Sequence, residues 1–507
     1  MNYINTSHQK WLFYTKLLIL FFIISQLWTV FINPKPFWLD EWFILENLKV
    51  NSYKNLIGRL LYDQEFPRVY LFFIKYIANL TNFSSIILKL PGTIFGVLDL
   101  YLMYYITRLI YKNKTFLRFL FIVLFSANFT IFYYFTQIKA DTSDLFLALI
   151  AIVQFLNLRN KTILNIIFSS LALCLGCIIS YTYPIAIAPI ILIVLLRFFN
   201  FQQKNEYFYI DIIFLFSILI GLIISWFTDL RFVLTDSTMH QYWSIDIVHY
   251  DGVKDFIIYF FRSFFLLLTT FTGPTSESHL LLLIVLKIYR SFLFIIVFSG
   301  ILSIVINIIK HFQAIELKIF IKNELIHIKT YFILLFIIIW VLYFLKLLPI
   351  SGDRINFFTV PMIIYFFITG VLFFNNIQAI KKIFSYLLLG FVVCISLYSV
   401  GKISQNFFGK TNWFDARIYK NFGKAINYAQ AVNGVIAIDN HELYDNSPAS
   451  SIKIAIQSYP SYRIKTPVPV IVYENITSVC SLRLQYQKVI IVNELSFKEV
   501  NLNDICH

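Results

Sequence analysis

Apolar runs long enough to cross a bilayer recur along this chain, and few folds are open to a chain built that way. A bilayer core asks for about 20 apolar residues per helix. Runs of that order lie near 11–33, 86–106, 117–135, 143–158, 163–180, 183–199, 208–228, 291–309, 331–348, 355–374 and 382–400. In hydrocarbon every backbone N–H and C=O must find its partner within the segment, so such runs are helices. The pattern predicts an all-α polytopic membrane protein of eleven transmembrane helices. Three further stretches, 68–82, 256–272 and 278–290, are apolar but short or charged, as with Arg262, Lys287 and Arg290, and read as helices lying in the interface. Charged residues make up 14% of the chain, against about 25% in soluble domains, which excludes a soluble enzyme, a disordered chain and a disulfide-rich secreted module. The net charge of +15 comes from 42 basic and 27 acidic residues. A nucleic-acid binder would gather these cations on one solvated face, whereas here they sit in short loops between apolar runs.

The basic residues also orient the spans. With the N-terminus inside, the inner segments hold Lys112-Asn113-Lys114, Arg159-Asn160-Lys161 and Lys381-Lys382, and only the acids Glu206, Glu316 and Glu324, as the positive-inside rule expects. The outer loops, 34–85 and 229–290, collect the acids. The first run is too long for a signal peptide, and Pro34-Lys35-Pro36 stands where a small-residue cleavage site would be, so it is expected to stay as an anchor. An odd number of spans puts 402–507 outside, after a transmembrane domain over 1–401. This tail alternates a helix-like segment, Asp415 to Val432, with β-rich runs at Val435 to Asp439, Val468 to Tyr473 and Val489 to Val492, which predicts a small extracytoplasmic α/β domain. Cys174 and Cys177 have CxxC spacing but lie in an apolar run and read as packing. Cys480 and Cys506 fall in the tail, where pairing is open.

The first outer loop carries the most chemistry. Pro36-Phe37-Trp38-Leu39-Asp40-Glu41-Trp42-Phe43 sets two adjacent acids between tryptophans where the chain leaves the membrane. A solvated turn inside an aromatic belt is the competing reading. Order along the chain adds to it. Asp63-Gln64-Glu65-Phe66-Pro67-Arg68 follows, then Lys89-Leu90-Pro91-Gly92 at the second span. Thr136-Gln137-Ile138-Lys139-Ala140-Asp141-Thr142-Ser143-Asp144 joins the third and fourth spans, and Ser180-Tyr181-Thr182-Tyr183-Pro184 the fifth and sixth. Leu348-Pro349-Ile350-Ser351-Gly352-Asp353-Arg354 opens the tenth. This succession resembles the GT-C membrane glycosyltransferases, in particular glycosyltransferase family 39, which includes protein O-mannosyltransferases and lipid A aminoarabinose transferases. The resemblance covers roughly residues 11–400 and leaves out the tail.

What the resemblance implies is transfer of a sugar from a polyisoprenyl-phosphate donor to an acceptor hydroxyl of a lipid, glycan or protein, on the outer face of a cell (inner) membrane. Asp40-Glu41 matches the family's acidic pair, whose aspartate acts as the base. Lys139 matches a basic residue between spans three and four that is more often arginine, and Gly352-Asp353-Arg354 matches a Gly-x-Arg opening a late span. The usual double proline is here Pro67-Arg68, a departure on the acceptor side. Some relatives hold a divalent metal; His240, His249 and His279 lie in an outer loop, but their spacing assigns no metal here.

The chemistry stands apart from the family. Joining a hydroxyl to an activated anomeric carbon with inversion needs one carboxylate to take the proton. A lipid phosphate leaves as an anion already, so no second acid is required, but cations must hold its developing charge. Asp40 is therefore the candidate base against a structural ion pair. Glu41 is a candidate to orient a neighbour or bind a metal, against a plain surface acid. Lys139, Arg354 and Arg68 are candidate donor-phosphate ligands, against basic side chains snorkelling at the interface. The alternatives are a surface-polysaccharide polymerase or ligase, whose basic residues would sit in a large later loop, and a transporter, which needs charge pairs within the spans. Asp99 is the acid well inside a span.

Overall fold

The computed structural model describes residues 2–32, 39–61, 64, 66–126, 128–158, 160, 162–200, 208–232, 252–269, 280–314, 328–350, 354–378, 384, 387–388, 390, 424–439, 470–473, 488–492 and 497–501. The chain falls into two compact units. The first comprises Met1–Trp28, Phe66–Phe73 and Lys89–Ser404; the second comprises Thr29–Glu65, Ile74–Leu88 and Gln405–His507.

Helices appear at ten of the eleven apolar runs; 382–400 lies almost wholly outside the described residues. They are α1 (Asn2–Phe31), α4 (Ser85–Tyr111), α5 (Thr115–Ser126), α6 (Phe129–Tyr134), α7 (Asp141–Leu156), α8 (Ile163–Ile179), α9 (Tyr183–Asn200), α10 (Phe208–Ser225), α12 (Leu280–Ala314), α13 (Ile328–Phe344) and α14 (Val360–Asn375). Between these lie α2 (Leu39–Val50), α3 (Arg68–Leu80) and α11 (Val253–Thr269). Five helical stretches among the described residues are long and apolar enough to cross a membrane: Gln9–Phe31, Ile86–Tyr111, Phe208–Leu230, Lys287–Lys310 and Asn356–Asn375. The chain is thus a membrane-embedded helical protein.

Two local departures from the expected spans have plain causes. The run 117–135 is two helices, because the Asn128 side chain accepts the Ile131 N–H at 3.2 Å and starts α6 afresh. The stretch 278–290 is no separate interfacial helix. It is continuous with the next span in the 35-residue α12, since Lys287 and Arg290 are good helix formers and no proline intervenes. At 1.5 Å per residue α12 is about 52 Å long, well beyond a bilayer core of roughly 30 Å.

In the first unit, lipid-like side chains give no hydrophobic drive for helix association, so close backbone approach and hydrogen bonds supply it. A Cβ on Gly300 of α12 would run into the Phe366 carbonyl of α14, and one on Gly370 into the Ile296 carbonyl. Gly221 of α10 lies against the Cys174 carbonyl and Cys177 Cβ of α8, which gives the CxxC pair the packing role expected of it. Polar stitches cross the same layers. Tyr183 donates to Gln154 Oε1 at 2.8 Å, Gln154 donates to the Ser169 carbonyl at 3.1 Å, and Tyr331 donates to the Ala186 carbonyl at 2.9 Å.

In the second unit the tail forms a four-stranded sheet of order β2-β1-β3-β4, with β1 Val435–Asp439, β2 Val470–Tyr473, β3 Lys488–Val492 and β4 Phe497–Asn501. β1 pairs in parallel with β2 and β3, and β4 runs antiparallel to β3. A helix over 424–431 precedes β1. Three strands fall where the β-rich runs predicted them. β4 was not foreseen, because Phe-Lys-Glu-Val-Asn is a polar edge strand without a clear apolar alternation.

Candidate functional site

In the first unit the candidate cations ride on elements that grip one turn. Residues 135–140 connect α6 to α7, and Lys139 within them is only 5% exposed, so it is not an ammonium snorkelling to water. The turn is held from several sides. Tyr70 of α3 donates its hydroxyl to the Lys139 carbonyl at 3.3 Å. Thr93 of α4 donates to the Phe135 carbonyl at 3.1 Å. Gly92 leaves room for the Gln137 carbonyl, which a Cβ there would meet at 2.5 Å. Ser143 at the start of α7 closes back on the Ala140 carbonyl at 2.6 Å. The 3-10 turn Arg354–Thr359 contributes Phe357, whose ring centre lies 5.7 Å from that of Tyr134 and 6.4 Å from that of Phe135. The backbones bearing Lys139 and Arg354 therefore pack together; the Arg354 side chain lies outside what is described. Lys89, at the start of α4, is buried as well.

Arg68 opens α3 on the same framework and is 2% exposed. Its backbone N–H, one of the helix's unsatisfied first donors, goes to Asp229 Oδ2 at 3.1 Å. Its guanidinium donates to the Phe66 carbonyl at 2.7 Å and acts electrostatically on the Asp229 carboxylate. Asp229 Oδ1 accepts the Ser225 hydroxyl at 3.2 Å. The sequence places Asp229 at the start of the outer loop 229–290. It is instead fully buried on a π-helical turn, Trp226–Leu230, that extends α10.

A second polar knot joins α7 to α9. The Ser180 and Thr182 hydroxyls, 3.2 Å from each other, act on the Asp144 carboxylate, with Asp141 one turn away. The Ser180 hydroxyl oxygen accepts the Thr182 and Tyr183 N–H groups at 3.2 and 3.1 Å and so caps α9. The signal for it was in the sequence: a serine three residues before a tyrosine-proline pair is a helix start.

The acidic pair belongs to the second unit. Asp40 and Glu41 sit in the first turn of α2, where the helix dipole favours carboxylates. Glu41 is 1% exposed and so is no surface acid; the Asp40 side chain lies outside the described residues. The rest of α2 is firmly anchored. Asn47 donates to the Phe43 carbonyl at 2.8 Å and the Leu61 carbonyl at 3.1 Å, while its Oδ1 accepts the Leu61 N–H at 2.8 Å. Lys75 of α3 donates to the Leu48 carbonyl at 2.7 Å and to the Asn51 carbonyl, placing a cation at the C-terminal end of α2. Burial pulls this ammonium below the ordinary lysine range. Neither Asn47 nor Lys75 was singled out from the sequence, because the bonds of Asn47 to Leu61 and of Lys75 to Leu48 span 14 and 27 residues.

Among the described residues no three His, Cys, Asp or Glu side chains come together to hold a metal. His240, His249 and His279, and the tail's Cys480 and Cys506, lie outside the described residues. No family model matches the chain, and no curated protein matches it.

Proposed function

We propose that the chain is a glycosyltransferase that moves a sugar from a polyisoprenyl-phosphate donor to an acceptor hydroxyl on the outer face of the membrane, with inversion. The observation that carries this reading is the gripped turn at Lys139. It fixes a buried cation on the framework that also bears Arg68 and starts a 3-10 turn at Arg354, as a site for a lipid phosphate requires. In this proposal Asp40 takes the acceptor proton, Glu41 orients it, and Lys139 and Arg354 hold the departing phosphate. The shorter apolar helices, Thr115–Ser126, Ile163–Ile179, Tyr183–Leu196 and Ile328–Phe344, then count with the five long ones toward eleven spans. The N-terminus is cytoplasmic and the tail extracytoplasmic, following the lysine and arginine bias. A transporter would need charge pairs within its spans. Both oxygens of the buried Asp99 instead have no hydrogen-bond partner among the described residues.

The test is transfer by the purified chain from a panel of polyprenyl-phosphate sugars, with Asp40→Asn alongside. The isosteric change should lower turnover by about 100-fold or more while leaving membrane insertion and thermal unfolding unchanged. Full activity in the variant moves the base to Glu41 or ends the mechanism, and no transfer from any donor by the parent chain ends the proposal.

A further inference from the structure

We infer that the turn between α4 and α5 binds the phosphate of an anionic phospholipid headgroup, with Arg118 as the inner ligand and Lys112 and Lys114 as the outer ones. Arg118 is 7% exposed. Its Nη1 reaches the Lys112 carbonyl at a long 3.4 Å and its guanidinium carbon lies 5.3 Å from the Tyr104 ring centre. Its buried Nε has no acceptor, and no carboxylate pairs with it among the described residues. From Asp99 to Asp141 the chain contains no acid at all, yet it carries Arg108, Lys112, Lys114 and Arg118. A buried guanidinium is costly unless an anion compensates it, and the described residues supply none to this one.

The surroundings say which anion. The Lys114 N–H closes the turn on the Tyr111 carbonyl at 2.6 Å with Lys112 in left-handed backbone, φ 23°, so both exposed lysines leave the turn from which Arg118 reaches the Lys112 carbonyl. Trp11 of α1 packs on the first turns of α5, its ring centre 5.0 Å from Phe116 and 4.9 Å from Phe119, with the exposed Lys10 beside it. A tryptophan next to lysines marks headgroup depth, and a basic pocket between membrane helices at that depth takes lipid phosphate. The site is distinct from the Lys139 turn. Lys89 and Arg108 are separated by about 28 Å of α4 at 1.5 Å per residue. Exposed lysines alone would serve only to orient the chain; that function does not require a buried arginine.

The experiment measures lipid retained by the purified full chain, by native mass spectrometry after exchange into detergent with phosphatidylglycerol, phosphatidylcholine or inorganic phosphate. Phosphatidylglycerol should be retained over phosphatidylcholine, and the pair Lys112→Gln with Lys114→Gln should weaken that preference by about fivefold per lysine. Arg118→Gln should abolish it. The lysine pair is exposed, so its result stands even if the arginine variant fails to fold. Equal retention of both lipids, or an unchanged preference in the lysine variant, overturns the inference. Inorganic phosphate competing as well as phosphatidylglycerol overturns the lipid as its source.

Discussion

Arg68 and Arg118 are both buried in the first unit, and their surroundings differ in one respect. Arg68 has the Asp229 carboxylate beside it, delivered from 161 residues away and also tied to the helix start and to Ser225. Arg118 has an aromatic ring, one long hydrogen bond and, among the described residues, no acid. The first arrangement closes its electrostatics within the chain and so builds a framework. The second leaves them open, and its compensation comes from outside, in the membrane. Burial of a basic residue is thus ambiguous by itself, and the identity of the nearest anion decides what the residue is for.

The largest effect expected follows from the closed case. Asp229→Ala removes the acceptor of the α3 N–H together with the carboxylate facing the guanidinium, and breaking a buried pair in this way costs about 3–5 kcal/mol. Thermal unfolding in detergent should show it, and a change of the size typical of surface substitutions, within about 0.5 kcal/mol, would put the pair among the decorative ones. The open case should behave with smaller size and variable sign. Arg118→Met exchanges a buried charge for an apolar side chain of similar length. In phosphatidylcholine nanodiscs stability should stay within about 1 kcal/mol of the parent, and in phosphatidylglycerol nanodiscs the variant should fall behind it. If Arg118→Met is as damaging in both lipids as Asp229→Ala, the two arginines are the same kind of residue and the contrast fails.

Periodicity and length exposed what is local. Ten apolar runs became helices, and the strand Val435–Asp439 has the bounds its β-rich run predicted. What escaped is long-range. Asp229 reads as a loop acid until Arg68 is brought to it. Gly300 and Gly370 are unremarkable in a chain with 15 glycines until α12 and α14 close on one another. Charge misled at 278–290, where Lys287 and Arg290 hid a continuous helix. For the candidate site, the segment at Lys139 was legible because its residues are contiguous. The grip of Tyr70, Thr93 and Phe357 on it was not, because hydrogen bonding of a tyrosine or threonine hydroxyl to a distant carbonyl leaves no spacing to count.

The tail supplies a third case, a charge pair closed within the chain but exposed to solvent. Lys488 Nζ lies 2.6 Å from Glu499 Oε1, and Tyr428 donates its hydroxyl to the other carboxylate oxygen. The hydrogen bond from Lys488, then that from Tyr428, holds Glu499 below its ordinary 4.5. The unfolded chain therefore takes up that proton more readily than the folded one. The stability contributed is complete above the ordinary glutamate range and is lost as pH falls through the lowered folded value. The same pair holds Lys488 above its ordinary 10.5, so its share is present below that value and fades as pH rises past it. Exposure to water keeps both shares small. Hydrogen exchange of the β3 and β4 amides, compared at each pH with Glu499→Gln, should show the parent losing its modest advantage only on the acid side of 4.5 and on the alkaline side of 10.5. An advantage that persists at both extremes would mean that the Tyr428 contact alone secures the edge strand, and that even at the surface the pairing of charges contributes less than the geometry that brings them together.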